Sequence, residues 1–146
     1  FKAVIDYAHT PDSLEFVYKT LRPYAGKLIC VLGAAGGGRD KWKRPEFGRI
    51  AAQYCDEVIL TNEDPYDEDP ESILEQVRSG IPKTATDRVK VTKILDRREA
   101  IEKALALPST GDIVVITGKG AETSMAIAGG KKIPWSDREI VSEFLR

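Results

Sequence analysis

Glycines and cations occur together in one stretch of the chain, residues 33–45. An apolar run, residues 28–32, leads into four glycines, and four cations then follow: Arg39, Lys41, Lys43 and Arg44. Glycines let backbone N–H groups approach a ligand closely, and the start of a helix adds the positive end of its dipole. The stretch therefore predicts an anion site at a strand-to-helix junction. The alternative is a surface turn whose charges are solvated.

Acidic residues follow two other apolar runs. Glu63 and Asp64 come after residues 57–60, and Gly118 and Glu122 come after residues 112–117. Carboxylates suit an ammonium group, whereas the cations of residues 33–45 suit a carboxylate or a phosphate. An amino acid carries both charges, so the two groups predict a zwitterion site. On spacing alone, the alternative is a set of mutually paired surface charges.

His9 is the only histidine, and Asp6 precedes it at the end of another apolar run. Asp6 is placed either to orient His9 or to bind a ribose hydroxyl, and a hydrogen-bonded structural histidine is the alternative. One histidine and two separated cysteines do not make a zinc site, so we predict no metal site. The phosphate-loop pattern G-x-x-x-x-G-K-[S/T] occurs nowhere, so any ATP must be cradled by another domain.

The elements that position these residues follow from apolar runs that alternate with helical patterns. The pattern predicts an α/β fold: a three-layer, Rossmann-like, mostly parallel sheet of about six strands, with helices on both faces and a C-terminal hairpin. Predicted strands cover residues 1–5, 27–32, 57–60, 89–94 and 112–117, with the hairpin at 124–127 and 131–134. Predicted helices cover residues 12–21, 45–54, 71–78, 97–107 and 136–145.

Ligands of an open parallel sheet bind beyond the carboxyl ends of its strands. Four polar loops leave predicted strands at those ends, and we expect them to converge on one edge of the sheet. They are residues 6–9, 33–45, 61–66 and 118–122.

Composition narrows the class of protein. The 146 residues suffice for one domain, and a net charge of -1 gives no basic footprint for nucleic acid. No apolar run approaches the ~18 residues of a membrane span. We expect a cytoplasmic, monomeric domain without nucleic-acid or membrane partners, which begins at an internal boundary of a longer protein. Cys30 and Cys55 are predicted to be buried thiols, and a disulfide is the less favoured alternative.

Six motifs occur in order along the chain: Asp6-Tyr-Ala-His-Thr-Pro-Asp-Ser13, Gly37-Gly-Arg-Asp-Lys with Lys43-Arg-Pro45, Asp64-Pro65, Asp96-Arg-Arg-Glu-Ala100, Gly118-Lys-Gly with Glu122, and Ile133-Pro-Trp-Ser-Asp-Arg-Glu139. Over residues 4–145 the chain resembles the C-terminal domain of the Mur ligases, most closely the UDP-N-acetylmuramyl-tripeptide synthetase (MurE) type. The resemblance implies a full enzyme with an N-terminal UDP-binding domain and a central P-loop ATPase domain, both absent from this chain.

The resemblance implies an ATP-dependent amide ligase of peptidoglycan precursor synthesis. An acyl phosphate forms on the D-Glu γ-carboxylate of UDP-MurNAc-L-Ala-D-Glu, and the amine of an incoming amino acid attacks it. The resemblance further implies that ATP and Mg²⁺ are held mainly by the absent central domain, and that this fragment carries no catalytic residue and is inactive alone. The implied amino-acid site comprises Arg39, Glu63, Asp64, Tyr66, Gly118 and Glu122, with Arg39 on the carboxylate. The implied ATP-facing residues are Asp6, His9, Lys41, Lys43 and Arg44.

Two departures from the family pattern bear on the substrate. The run Glu63-Asp64-Pro65-Tyr66 stands where members that add diaminopimelate carry Asp-Asn-Pro-Arg, and Ala121 stands where the family has His. Without that Arg, a second carboxylate would face Glu63, Asp64 and Glu122 with no cation. The hypothesis is a diamino acid with one carboxylate, L-lysine before L-ornithine, and not diaminopimelate. Alternatives are another Mur-type or folylpolyglutamate-like ligase domain, or a non-catalytic module that binds a nucleotide or an amino acid.

Overall fold

The computed structural model describes residues 1–38 and 40–146. In this part of the chain, five strands form one parallel sheet: β1 (Lys2–Asp6), β2 (Leu28–Leu32), β3 (Glu57–Leu60), β4 (Lys90–Lys93) and β5 (Ile113–Thr117). Their order across the sheet is β1-β5-β2-β3-β4. The predicted α/β fold is confirmed, with five strands in the described sheet rather than about six.

Helices cover both faces of the sheet. One face carries α1 (Pro11–Leu21), α2 (Lys43–Tyr54) and α3 (Pro70–Arg78), and the other carries α4 (Arg97–Ala106) and α5 (Asp137–Phe144). Successive side chains of a strand point to opposite faces. Cys30 of β2 accordingly packs in the core below α1, α2 and α3, while Ile29 and Val31 pack in the core below α4 and α5. No helix in the described ranges is both long and apolar enough to cross a membrane.

Helices α1, α4 and α5 each begin after a polar capping residue, close to the predicted start. Thr10 caps α1 and forms a capping box with Ser13, so α1 begins at Pro11, one residue before the predicted start. Asp96 caps α4 and Ser136 caps α5. Such caps satisfy backbone N–H groups that have no partner within the helix.

A two-stranded antiparallel hairpin follows β5. Its strands, β6 (Ser124–Ile127) and β7 (Lys131–Pro134), have the predicted bounds. Gly129 and Gly130 join them with φ of 75° and 69°, a region of backbone space that glycine adopts without a steric cost. The hairpin lies against the loop after β3, because the Ala126 N–H donates to the Asp64 carboxylate over 2.8 Å.

Cys30 and Cys55 form a disulfide, so the prediction of two buried thiols is wrong. Cys30 lies within β2 and Cys55 follows α2, with their Cα atoms 6.4 Å apart. Both side chains belong to the same core, and this proximity arises because α2 brings the chain back to the neighbouring strand. The bond spans the segment that contains all of residues 33–45.

Reduction of the disulfide is expected to lower the free energy of unfolding by about 3.5 kcal/mol, since the bond closes a loop with a sequence separation of 25. Urea denaturation with and without dithiothreitol measures this difference. The double variant Cys30→Ala/Cys55→Ala is the control and should not respond to the reductant. Alkylation of two free thiols in the unreduced protein would contradict the prediction.

Candidate functional site

A cavity of about 390 Å³ lies at the carboxyl edge of the sheet. The loops that line it follow β1, β5, β2 and β3, which are consecutive neighbours in the sheet, so their ends meet at one edge. The predicted convergence of four polar loops is confirmed. Of the predicted site residues, the cavity is lined by His9, Lys43, Arg44, Glu63, Asp64, Tyr66, Gly118 and Glu122.

The loop after β2 and the loop after β3 are joined by close backbone contacts. The Gly36 N–H donates to the Asp64 carbonyl over 2.9 Å, and a Cβ on Gly36 would overlap the Pro65 carbonyl. The ring of Tyr66 packs 3.6 Å from where a Cβ on Gly37 would lie. These glycines therefore allow the two loops to pack closely against each other, besides any contact with a ligand.

The Glu63 carboxylate is the most enclosed acid of the cavity, with 6% of the residue exposed. Burial raises its pKa to about 7; neighbouring Arg97 and Lys119 oppose that rise, and Asp64 and Glu122 add to it. Gly118 lies against this carboxylate with a φ of 104°. Glu63 is therefore a proton-binding group at neutral pH, held inside the cavity.

Lys119 is a buried cation that the sequence analysis did not include in the site. It is fully buried, and its Nζ lies 2.8 Å from Asp64 Oδ1 and 3.7 Å from Glu122 Oε2. Its position inside the motif Gly118-Lys-Gly was the available signal. The acids of the cavity thus face a cation supplied by the chain itself, contrary to the premise on which diaminopimelate was excluded.

Arg97 and Asp137 form a second buried pair below the cavity, with 1% and 0% of their side chains exposed. The guanidinium donates from Nε and Nη2 to the two carboxylate oxygens over 2.9 and 2.7 Å. It also donates to the carbonyls of Asn62 and Thr117, each over 3.1 Å. Trp135 Nε1 donates to the same carboxylate. This cluster ties the loop after β3 and the end of β5 to α5.

Asp6 and His9, two of the residues predicted to face ATP, lie beside the cavity and at its rim, respectively. The Asp6 carboxylate accepts the Ala8 N–H over 2.8 Å and does not line the cavity. His9 is exposed at the rim, with its ring centroid 4.7 Å from that of Tyr7. Tyr7 was not predicted, although it lies within the first motif.

The predicted cations of residues 33–45 occupy different surroundings. Lys41 is exposed outside the cavity, whereas Lys43 lines it and pairs with Asp40 over 3.2 Å. Arg44 is buried and bound by the chain's own acceptors. Arg39, the predicted carboxylate clamp, lies outside the described residues. Within residues 1–38 and 40–146, no group of three His, Cys, Asp or Glu side chains is arranged to hold a metal ion.

The raised pKa of Glu63 predicts a pH-dependent stability. Between pH 4.5 and about 7 the folded state keeps a proton that the unfolded state releases, so the free energy of unfolding falls as the pH rises through this window. The fall from this group amounts to at most about 3 kcal/mol. Denaturation across the window should show that Glu63→Gln removes this component. Parallel pH profiles of the two proteins would contradict the assignment.

Comparison with known proteins places the chain in a family. The sequence profile described as "Mur ligase, glutamate ligase domain" matches residues 1–120. The chain belongs to this family. It is 47% identical over 146 residues to the UDP-N-acetylmuramoyl-L-alanyl-D-glutamate–2,6-diaminopimelate ligase of Aquifex aeolicus, covering 99% of this chain and 29% of that protein. The ligase of the same name from Cytophaga hutchinsonii is 45% identical over 144 residues, with coverage of 97% and 29%.

Solved structures agree with this family. A structure of a UDP-N-acetylmuramoyl-L-alanyl-D-glutamate–2,6-diaminopimelate ligase matches with a TM-score of 0.89 and 39% identity, covering 98% of this chain and 28% of that one. A crystallised domain from Haemophilus ducreyi, 14% identical with a TM-score of 0.60, shares the fold. The chain spans less than a third of the length of the curated relatives it matches.

The prediction that diaminopimelate is not the substrate is wrong. Relatives between 44% and 48% identical are named as 2,6-diaminopimelate ligases. A buried cation was left out of the charge balance behind that prediction. Lys119 binds Asp64 and lies near Glu122, so a cation of the chain itself offsets part of the negative charge beside this run.

Proposed function

We propose that this chain is the C-terminal domain of an ATP-dependent ligase that joins 2,6-diaminopimelate to UDP-N-acetylmuramoyl-L-alanyl-D-glutamate. The observation that carries the proposal is the similarity, over nearly the whole chain, to ligases of that name. The longer protein would supply an N-terminal UDP-binding domain and a central ATPase domain. The reaction forms an amide bond and belongs to peptidoglycan precursor synthesis.

The incoming amino acid is proposed to occupy the cavity at the carboxyl edge of the sheet. Diaminopimelate carries two ammonium groups and two carboxylates, and the cavity offers acids on one side and a glycine-rich loop on the other. Glu63 and Glu122 are the proposed ammonium partners, because Asp64 is already bound by Lys119. Arg39 is the proposed partner of a carboxylate, and Tyr66 and Gly118 shape the wall.

ATP and Mg²⁺ are proposed to be held mainly by the central domain. The described residues that fit a nucleotide lie at the rim, where the exposed rings of Tyr7 and His9 suit contact with a base and Lys43 suits a phosphate. Asp6 and Lys41 remain candidates for the same face. The guanidinium of Arg44 is bound by groups of the chain, so its part would be to hold the loop.

The proposed role of this domain is to bring the amine to the acyl phosphate. The amine must lose a proton and lie within attack distance of the acyl carbon, with water excluded. The C–N bond then forms as the bond from the acyl carbon to the phosphate oxygen breaks, and inorganic phosphate leaves. A cavity that opens at one edge of the domain suits closure against a second domain that holds the acyl phosphate.

The complete protein should convert UDP-MurNAc-L-Ala-D-Glu, ATP and 2,6-diaminopimelate into a product whose mass equals the nucleotide substrate plus diaminopimelate less one water. Mass spectrometry detects this product, with L-lysine assayed in parallel. The chain of residues 1–146 alone is the control and should not hydrolyse ATP. The absence of a diaminopimelate product, or ATP turnover by the isolated chain, would overturn the proposal.

A further inference from the structure

Glu68 contacts the cation-rich loop, residues 33–45, at two separated points. It lies between β3 and α3, and its Oε1 accepts the Gly38 N–H. The same carboxylate accepts two hydrogen bonds from Arg44, 2.9 Å from Nη1 and 3.0 Å from Nη2. One side chain therefore contacts both ends of residues 38–44, the segment that contains all four predicted cations.

The Arg44 end of this contact is buried and fixed. The residue is 1% exposed, and its guanidinium also donates to the Ala35 carbonyl over 2.9 Å and to Gln76 Oε1 over 2.8 Å. Bidentate pairing of Arg with a carboxylate constrains both side chains in one plane. The hydrogen bonds from Arg44, with that from Gly38, hold the pKa of Glu68 down at about 2, so the carboxylate is ionised at neutral pH.

The Gly38 end of the contact sets the direction of the backbone. Gly38 has a φ of 76°, and its N–H points to Glu68, as the Gly36 N–H points to the Asp64 carbonyl. The start of α3 does not need Glu68, because Asp69 caps that helix. The carboxylate of Glu68 is therefore dedicated to the loop and not to the helix that follows it.

We infer that Glu68 is a positioning residue for the carboxylate-binding end of the amino-acid site. It fixes the backbone at Gly38, the residue that precedes Arg39 in the sequence, and so sets where the chain enters the cation-rich segment. The inference rests on the proposed function, and it adds a residue from outside the predicted site. Glu68 acts through the loop and does not line the cavity.

Steady-state kinetics of the complete ligase test this role. Glu68→Ala should raise the KM for the amino acid about tenfold, because small displacements of a binding group cost much of its contribution. Glu68→Gln should show a smaller rise, since its amide oxygen still accepts one hydrogen bond. The KM for the UDP-linked substrate should not change. The control is Glu71→Ala, an exposed acid in the first turn of α3 that lies 4.0 Å from Lys93.

The kinetic pattern separates positioning from folding. A loss of folded enzyme lowers the apparent kcat and leaves every KM unchanged, so this result in Glu68→Ala would overturn the inference. Hydrogen–deuterium exchange of the complete ligase gives a second readout, and the peptide containing Gly38 should exchange faster in Glu68→Ala than in Glu71→Ala. Equal exchange in the two variants would also overturn it. A wild-type protein without ligase activity would instead overturn the proposed function, and the role of Glu68 with it.

Discussion

Arg97→Met is expected to lower the free energy of unfolding by about 3–5 kcal/mol. The substitution leaves the carboxylate of Asp137, which is fully buried, with Trp135 as its remaining side-chain donor. It also removes the donors to the carbonyls of Asn62 and Thr117. A buried charge without its partner is far more costly than a buried pair, which explains the size of the effect.

Urea denaturation of Arg97→Met and of its neighbour variant Arg98→Met tests this prediction. Arg98 is a suitable control because its ion pair with Glu143 is about half exposed, and such pairs contribute little. The double variant Arg97→Met/Asp137→Leu should recover part of the lost stability, since it removes both charges. Equal destabilisation by the Arg97 and Arg98 substitutions would contradict the account.

Gly118→Ala is expected to lower kcat/KM for the amino acid about a hundredfold in the complete ligase. The distance from the new Cβ to the Glu63 carboxylate would be well under 3.0 Å, closer than real Cβ atoms approach another heavy atom. The overlap falls on the end of the Glu63 side chain, which has to shift to make room. The substitution therefore displaces the acid that we propose as an ammonium partner.

Gly111→Ala separates this overlap from backbone strain. Gly111 has a φ of 92°, close to the 104° of Gly118, and a Cβ there would have no atom within 4 Å. Both variants carry a similar conformational cost, but only Gly118→Ala disturbs the cavity. Gly111→Ala should retain the wild-type KM for the amino acid. An equal loss of kcat/KM in both variants would assign the effect to stability alone.

The sequence was sufficient to predict the elements and the edge of the sheet at which the site lies. Apolar runs such as residues 57–60 read directly as buried strands, and the hairpin was bounded by its two glycines. Polar loops after parallel strands must meet at one edge, so their convergence followed from the strand pattern alone. Which residues lie at that edge could therefore be predicted before the geometry of the loops was known.

Features that depend on long-range pairing could not be predicted in this way. Arg97 and Asp137 are 40 positions apart, and nothing in their local sequence marks them as a buried pair. Lys119 was not among the predicted site residues, yet it is fully buried and lies beside Asp64 and Glu122. The charge balance assumed for the cavity was therefore incomplete, because it depends on every buried partner.

The most direct test of the central claim is a crystal structure of the complete ligase with 2,6-diaminopimelate bound. We expect the amino acid in the cavity at the carboxyl edge, with an ammonium nitrogen about 3 Å from a carboxylate oxygen of Glu63 or Glu122. An amino acid bound elsewhere would contradict it. The cavity of about 450 Å³ at the opposite edge, beside Lys27 and Glu57, is one such place.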